Sequence, residues 1–309
     1  MDQHAPRSAI LLAFLCVLVV WGTTYLAVAI VLRDLPPFLS AAMRYTLAAV
    51  VLYAGLRLRQ PRPMAGLPVR TVVISGVLLC GCGNGFTVFA MQQVPSGIAA
   101  LLNSTIPICV TLVDWGFFAR RRPSIWTGIG LAAGVGGVTL LVRQTTATTG
   151  LAGIGYVACL ALAVLTWSVG TLVQRDAVPR ERLLALLCGQ MAAGAAFLCA
   201  AGLLNDEFSS LDLARVSAPA WLGVLYLALF GSLLTQWCYL WLLSRWPAEK
   251  VTTYAVVNPV IAMFLGAAVL DEAVTTSSLL GALLVLAGVA LVLFEHKAAA
   301  WAQRILSPG

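Results

Sequence analysis

The most regular pattern in the chain is a series of long apolar runs separated by short polar stretches. A run of about 20 apolar residues is long enough for a helix to cross the hydrocarbon core of a bilayer. The pattern therefore predicts an all-α polytopic membrane protein with ten transmembrane helices. The predicted helices span residues 9–32, 37–56, 71–93, 95–118, 124–143, 151–173, 183–203, 219–243, 247–270 and 275–294.

The ten runs form two sets of five, and the second set repeats the first. Shifting residues 84–141 by 152 positions, and residues 21–44 by 146 positions, brings residues of like type together. A longer loop at 205–219 accounts for the difference between the two shifts. The matched pairs are Asn84 with Gln236, Pro95 with Pro247, Pro107 with Pro259, Gly136 with Gly288, Trp21 with Trp167, and Arg44 with Gln190.

A repeat of five helices crosses the membrane an odd number of times, so the second copy must enter in the opposite orientation. Inverted repeats of this kind are typical of secondary transporters, whose substrate sites lie near the bilayer midplane where the repeats meet. The sequence predicts a first repeat at 9–143, a second at 151–294 and a cytoplasmic tail at 295–309.

The composition and the charges agree with a membrane protein. Hydrophobic residues make up 61% of the 309 residues and charged residues 10%, whereas soluble domains carry about 25% charged residues. Lys and Arg concentrate in cytoplasmic loops. With the N-terminus inside, fifteen of the nineteen Lys and Arg residues are cytoplasmic and three are outside. This bias predicts that both termini are cytoplasmic. No nucleic-acid partner is expected, because the chain has no basic, aromatic-interleaved domain outside the predicted helices.

Several short motifs resemble the EamA branch of the drug/metabolite transporter superfamily, and the likeness covers nearly the whole chain. The resemblance implies two inverted five-helix repeats, a bacterial inner-membrane location and efflux of small metabolites by alternating access. In this family an acid often follows the fourth helix, where this chain has Arg120-Arg121-Arg122, whereas Asp271-Glu272 follows the ninth. The motifs are WGTTY at 21–25, PP at 36–37, Arg44, GNG at 83–85, VPSGIAA at 94–100, YLALFGS at 226–232 and YAVVNP at 254–259.

Few polar side chains lie inside the predicted helices, and such residues usually face the bundle interior or a water-filled cavity. Arg44 either reaches the headgroups or bonds a neighbouring helix, or it binds the carboxylate of an amino-acid-like substrate. Asn84 lies between two glycines that weaken the third helix. Its counterpart Gln236 is followed by aromatic residues, among them Trp241. Both amides either line the cavity or pack between helices.

Two prolines interrupt helices at matched places. Pro107 deprives the carbonyl of Asn103 of its helical bond, and Pro259, which follows Asn258, does the same to Ala255 next to Tyr254. Matched kinks indicate a midplane binding site or a gating hinge, or they only improve packing. We assign Pro107 and Pro259 as hinges.

The matched tryptophans Trp21 and Trp167 lie too deep for the interfacial belt, and their indole N–H groups need polar partners. Cavity lining is therefore expected for both. Asp114 is the one acid well inside a helix, and an ion pair with Arg120–Arg122 is expected in preference to a proton-coupling site.

No catalytic function is expected. The chain has no phosphate-binding G-x-x-x-x-G-K motif, and both histidines lie outside the predicted helices. No metal-ligand spacing is visible and no cofactor is expected.

The prediction is a secondary carrier that exports an amino acid or a related amphipathic metabolite. Import of a metabolite, efflux of cationic drugs and a non-transporting scaffold are the alternatives. Proton coupling stays open, as does the choice between monomer and homodimer. The predicted substrate-binding residues are Trp21, Arg44, Asn84, Asn103, Trp167, Gln190, Gln236, Trp241, Tyr254 and Asn258.

Overall fold

A computed structural model describes residues 6–118, 124–149, 152–175, 177–243, 251 and 254–294. These residues are almost entirely helical and contain no strand. The main helices are α1 (Arg7–Val31), α2 (Pro37–Arg59), α3 (Val69–Ala90), α4 (Ser96–Phe117), α5 (Ile125–Thr149), α6 (Ala152–Gln174), α7 (Leu183–Leu204), α8 (Ala218–Leu242), α9 (Tyr254–Leu270) and α10 (Thr276–Leu293). Short helical turns lie at Arg180–Arg182, Glu207–Ser210 and Leu213–Arg215.

The ten-helix prediction is confirmed over the described part of the chain. Nine helices there are long and apolar enough to cross a membrane, and α9 is a shorter apolar helix. The turn between α3 and α4 confirms that these are two helices, because Pro95 directly precedes the first residue of α4. The predicted tail at 295–309 lies outside the described residues, as do the arginines at 120–122.

The two repeats interlock instead of lying side by side. Helix α1 packs against α8 and α9 of the second repeat, and α6 packs against α3 and α4 of the first. Helices α2 and α7 pack against each other, as do α5 and α10. Each pair joins one helix from each repeat, so the core and any central cavity are built by both halves.

Glycines set the distance between α5 and α10. A β-carbon at Gly130 would lie 2.6 Å from the carbonyl oxygen of Gly288, and one at Gly137 would lie 2.6 Å from that of Gly281. Only a residue without a side chain permits this approach of two backbones. The small face of α5 is therefore used for packing within the bundle.

The third helix of each repeat contains a wide π-helical segment. In α3 it covers Val77–Gly83, and in α8 it covers Leu227–Leu234. Segments of this kind reorient the side chains that follow and are frequent at functional sites. The expected weakness beside Asn84 is thus a π segment that ends at Gly83, and the second repeat has one at the matching place.

Acidic side chains bind helix N-termini at one end of the bundle, which we call the capped end. It comprises the loops at 32–36, 91–95, 205–217 and 271–275. The buried Glu207 carboxylate accepts hydrogen bonds from the backbone N–H groups of Phe38 (3.2 Å) and Leu39 (2.9 Å) at the start of α2. Glu272 accepts from those of Ser96 (2.7 Å) and Gly97 (3.3 Å) at the start of α4. Negative charge is favourable at a helix N-terminus. Each of these two acids belongs to the second repeat and stabilises the start of a helix in the first repeat.

Candidate functional site

A cavity of about 180 Å³ lies between the two repeats. Seven of the ten predicted site residues line it, together with both prolines. The seven are Trp21, Arg44, Asn84, Asn103, Trp167, Tyr254 and Asn258. The structure thus places these residues on one surface, while their part in substrate binding stays a prediction.

Arg44 is buried on the cavity wall, with only 7% of its surface exposed. Its Nε donates a hydrogen bond of 2.8 Å to Ser232 Oγ in the π segment of α8. The guanidinium carbon lies 5.0 Å from the centre of the Tyr45 ring. Among the described residues no carboxylate pairs with this cation, so its buried charge is uncompensated. The side chain is therefore enclosed by the bundle, and an anionic group in the cavity would be attracted to it.

Amides and hydroxyls form a small network on the same wall of the cavity. Asn103 Nδ2 donates to Tyr25 Oη and to Thr87 Oγ1, both at 3.2 Å. Asn84 begins the α-helical turn after the π segment of α3, and its buried Oδ1 has no hydrogen-bond partner. A buried acceptor without a partner costs about 1–3 kcal/mol. The cavity therefore presents an acceptor that a bound donor would satisfy.

Aromatic rings form the wall next to this network. Trp21 Nε1 donates to the carbonyl oxygen of Gly231 at 3.1 Å, which satisfies the indole N–H as expected. The Trp21 ring lies 4.8 Å from that of Tyr254 and 5.4 Å from that of Tyr239. Trp167 packs on Gly83, where a β-carbon would lie 3.0 Å from the indole. Each matched tryptophan thus contacts the π segment of the other repeat's third helix.

The two prolines act on their helices differently. Helix α4 is broken at residues 104–105, and Pro107 lies in the first turn of its second half, Ile106–Phe117. Helix α9 runs through Pro259 without a break. When the Asn258 amide is oriented so that its nitrogen faces these acceptors, it donates to the carbonyl oxygens of Tyr254 (3.2 Å) and Leu18 (3.1 Å). Asn258 therefore joins α9 to α1 beside the proline, and the hinge role of both prolines stays a prediction.

Three predicted residues lie elsewhere, which corrects the cavity prediction for them. Gln190 is buried between helices, where its Nε2 donates to Ser75 Oγ (2.7 Å) and Gln174 Oε1 (2.8 Å). Gln236 is half-buried outside the cavity lining. Trp241 packs in an apolar cluster with Val17 and other residues of α1 and α8. These side chains point away from the cavity because of the rotation of each helix about its own axis, which a single sequence does not reveal.

Asp114 has an ion-pair partner that the sequence analysis did not name. Its carboxylate forms an ion pair of 3.0 Å with Arg175 at the end of α6. The arginines at 120–122 lie outside the described residues. The pair connects α4 of the first repeat to α6 of the second, so it tethers the two repeats.

Sequence reasoning missed six polar residues of the cavity, which are Thr24, Tyr25, Tyr45, Thr87, Ser104 and Ser232. A signal for Tyr25 was present, because it lies one helical turn after Trp21 and so on the same face. Thr87 lies one turn after Gly83 and donates to its carbonyl oxygen at 2.9 Å. Ser232 carries no such signal, because its place depends on the π segment.

Comparison with known proteins agrees with this architecture. Across 98% of this chain and 100% of the other, a solved crystal structure matches with a TM-score of 0.62 at 21% sequence identity, which shows the same fold. The uncharacterized inner membrane transporter YedA of Escherichia coli K12 is 31% identical over 256 residues, or 82% of this chain and 80% of that protein.

More distant relatives match over longer stretches. The uncharacterized transporter YoaV of Bacillus subtilis is 24% identical, over 93% of this chain and 98% of its own length. A probable amino-acid metabolite efflux pump of Escherichia coli K12 is also 24% identical, over 91% of this chain and 93% of its own length. The model of the EamA-like transporter family matches residues 7–143 and again 154–294. The chain therefore belongs to the EamA-like transporter family, as two copies of its repeat.

Proposed function

We propose that the protein exports an amino acid or a related amphipathic metabolite across the bacterial inner membrane by alternating access. The observation that carries this proposal is the cavity between the repeats, which holds the uncompensated Arg44 cation and the unpartnered Asn84 Oδ1. A carboxylate on Arg44 and an ammonium or amide N–H on Asn84 would complete both groups. The aromatic rings of Trp21 and Trp167 would receive an apolar side chain.

The size and charge of the cavity favour this class over cationic drugs. Its volume of about 180 Å³ lies below the ~300–1,000 Å³ typical of pockets for drug-sized ligands. No Asp or Glu occurs among the described residues that line it, whereas a bare cation would be drawn to acids. One relative is named a probable amino-acid metabolite efflux pump, which agrees with the same substrate class.

Alternating access needs segments that bend. We propose the π segments of α3 and α8 and the proline-containing helices α4 and α9 for this role, because they occur at matched positions in both repeats. The predicted orientation places the capped end in the periplasm and both termini in the cytoplasm. No histidine or carboxylate is among the described lining residues, so these residues offer no proton relay. Exit down a substrate gradient, which needs no relay, is therefore the proposed driving force. Import by the same cavity is the competing direction.

The test is counterflow in liposomes that contain the purified full-length protein. Labelled aromatic, aliphatic and cationic solutes are offered against an internal excess of the same unlabelled solute. We expect saturable exchange of at least one amino acid, inhibited by its unlabelled form but not by its decarboxylated amine. Exchange of cations alone would contradict the proposed substrate class. Flux measured separately in each direction, with the orientation determined by protease protection, distinguishes export from import.

A further inference from the structure

A second concave surface lies on the outside of the bundle, away from the central cavity. It is a groove of about 410 Å³ between α2, α7 and α8. Almost all of its lining is aliphatic, and the exceptions are Arg59 and Trp237. Trp237 is 47% exposed, so the groove opens toward the surroundings of the bundle. In a membrane-spanning protein those surroundings are lipid.

The length of the groove matches one leaflet. On α2 it extends from Val51 to Arg59 and on α8 from Leu229 to Trp237. Eight residues at 1.5 Å per residue correspond to ~12 Å along the helix axis. One half of the hydrocarbon core is ~15 Å thick. Leu184, in the first turn of α7, also lines the groove, so the groove occupies the leaflet at the end of the bundle opposite the capped end.

The polar groups of the groove lie where a lipid headgroup would be. Arg59 is the last residue of α2, and it is exposed. Among the described residues no carboxylate forms an ion pair with it. The Trp237 indole can donate a hydrogen bond at the interface, a place that tryptophan favours. A cation at the mouth of an aliphatic groove is complementary to a phosphate attached to an acyl chain.

We propose that this groove is a binding site for an anionic glycerophospholipid of the phosphatidylglycerol type. One acyl chain lies along Leu52, Gly55 and Leu233, and the headgroup phosphate binds Arg59. The predicted orientation, in which the Arg59 end is cytoplasmic, places this lipid in the cytoplasmic leaflet. The proposal does not depend on the transported substrate.

Two pairs of variants separate the headgroup from the acyl chain. Arg59→Gln removes the headgroup partner, and Arg57→Gln removes a charge in the same last turn that does not line the groove. Gly55→Leu fills the groove, and Gly128→Leu adds the same side chain to an exposed position on α5. A β-carbon at either glycine meets nothing within 4 Å, so both positions have open space where the side chain begins. Thermal melting in the same detergent confirms folding for all four.

The measurement is native mass spectrometry of the purified full-length protein, titrated with phosphatidylglycerol or with phosphatidylcholine of the same acyl chains. We expect one tightly bound phosphatidylglycerol, about fivefold weaker binding in Arg59→Gln and little change in Arg57→Gln. Gly55→Leu should lose the bound lipid and Gly128→Leu should keep it.

Three results would overturn the proposal. These are equal binding of the two lipids, equal effects of the two arginine variants, and retention of the lipid by Gly55→Leu. A shift from dimer to monomer in Gly55→Leu with unchanged lipid binding would instead assign the groove to a second copy of the chain.

Discussion

The second helices of the two repeats carry a polar side chain at matched positions, and the two side chains have different surroundings. Arg44 of α2 bonds Ser232 on α8, and Gln190 of α7 bonds Ser75 on α3. In both cases the second helix of one repeat is joined to the third helix of the other. Only Arg44 also lines the cavity. Both repeats thus have the hydrogen bond from the second helix of one repeat to the third helix of the other. Only the first repeat adds a charge, on Arg44.

This difference indicates how two similar repeats can form a cavity whose charged side chain comes from one repeat. The cross-repeat hydrogen bond needs only a donor and an acceptor, which an amide supplies as well as a guanidinium. The additional charge of Arg44 is not needed for that bond, and burying it costs free energy. We therefore expect Arg44 to act on the substrate and Gln190 to act on stability.

The largest expected effect is on transport, when residue 44 is made the same as its counterpart Gln190. In Arg44→Gln the first repeat carries the same residue as the second, and the amide can still bond Ser232. We expect counterflow to fall about 10- to 100-fold, since a hydrogen bond to a charged group is worth about 1.5–3 kcal/mol. Initial rates in liposomes measure the loss, and Arg44→Lys should retain part of the activity. Full activity in Arg44→Gln would show that the charge has no part in binding.

The second expected effect is on stability. Gln190→Ala leaves the buried Ser75 hydroxyl and Gln174 oxygen without this partner, and we expect a loss of about 1–3 kcal/mol in the free energy of unfolding. Denaturant titration in detergent measures it, and the KM for counterflow should stay unchanged. Ser75→Ala serves as the matched variant, because the double variant should lose less than the sum of the two. A raised KM at normal stability would place Gln190 in the substrate site.

The matched amides provide a third comparison. Asn84→Ala removes the unpartnered acceptor in the cavity, whereas Gln236→Ala changes a side chain outside it. We expect the first to raise the KM about fivefold, which corresponds to about 1 kcal/mol, and the second to leave it unchanged. Equal effects of the two variants would contradict the assignment of the cavity wall.

The smallest expected effect concerns pH at the capped end. Asp34 accepts hydrogen bonds from the side chain and the backbone N–H (2.9 Å) of Ser217, just before α8. These bonds, with a smaller contribution from Arg33, hold the pKa of Asp34 below its ordinary value. A lowered pKa in the folded state means that the contribution to stability is present at neutral pH. It is lost as the pH falls through the ordinary Asp range, about 4, and on to the folded pKa.

Thermal melting of the wild type and of Asp34→Asn, measured from about pH 6 to about pH 3, tests this linkage. The difference in melting temperature should shrink as the pH falls. A constant difference across that range would show that the ionised form of Asp34 gains nothing from Ser217.

Much of the cavity could be predicted from internal repetition. Trp21, Arg44, Asn84 and Trp167 are predictable because deep polar and indole groups are costly in a bilayer unless they face the interior, and Asn258 because it precedes the proline that matches Pro107. The same reasoning failed for Gln190, because a buried amide is equally well satisfied between helices.

The contacts at the ends of the helices were less predictable. Asp114 forms an ion pair with Arg175, which is far away in the sequence and carries no local signal. The predicted pairing with the arginines at 120–122 lies outside the described residues. Glu207 lies in the long loop of the second repeat, and nothing local marks it as the cap of α2.

The sequence by itself determined the all-helical class, the approximate bounds of the helices and the inverted repeat. The class and the bounds follow from local apolarity, which sets the partition of each segment into the membrane largely without regard to its neighbours. The inverted repeat follows from the matched residues and from the odd number of helices in each copy. Only the tertiary structure decided which face of each helix borders the cavity, where the π segments redirect side chains, and which acid binds which helix end. Such choices depend on the packing of helices that are distant in the sequence, and on rotations that local apolarity does not encode.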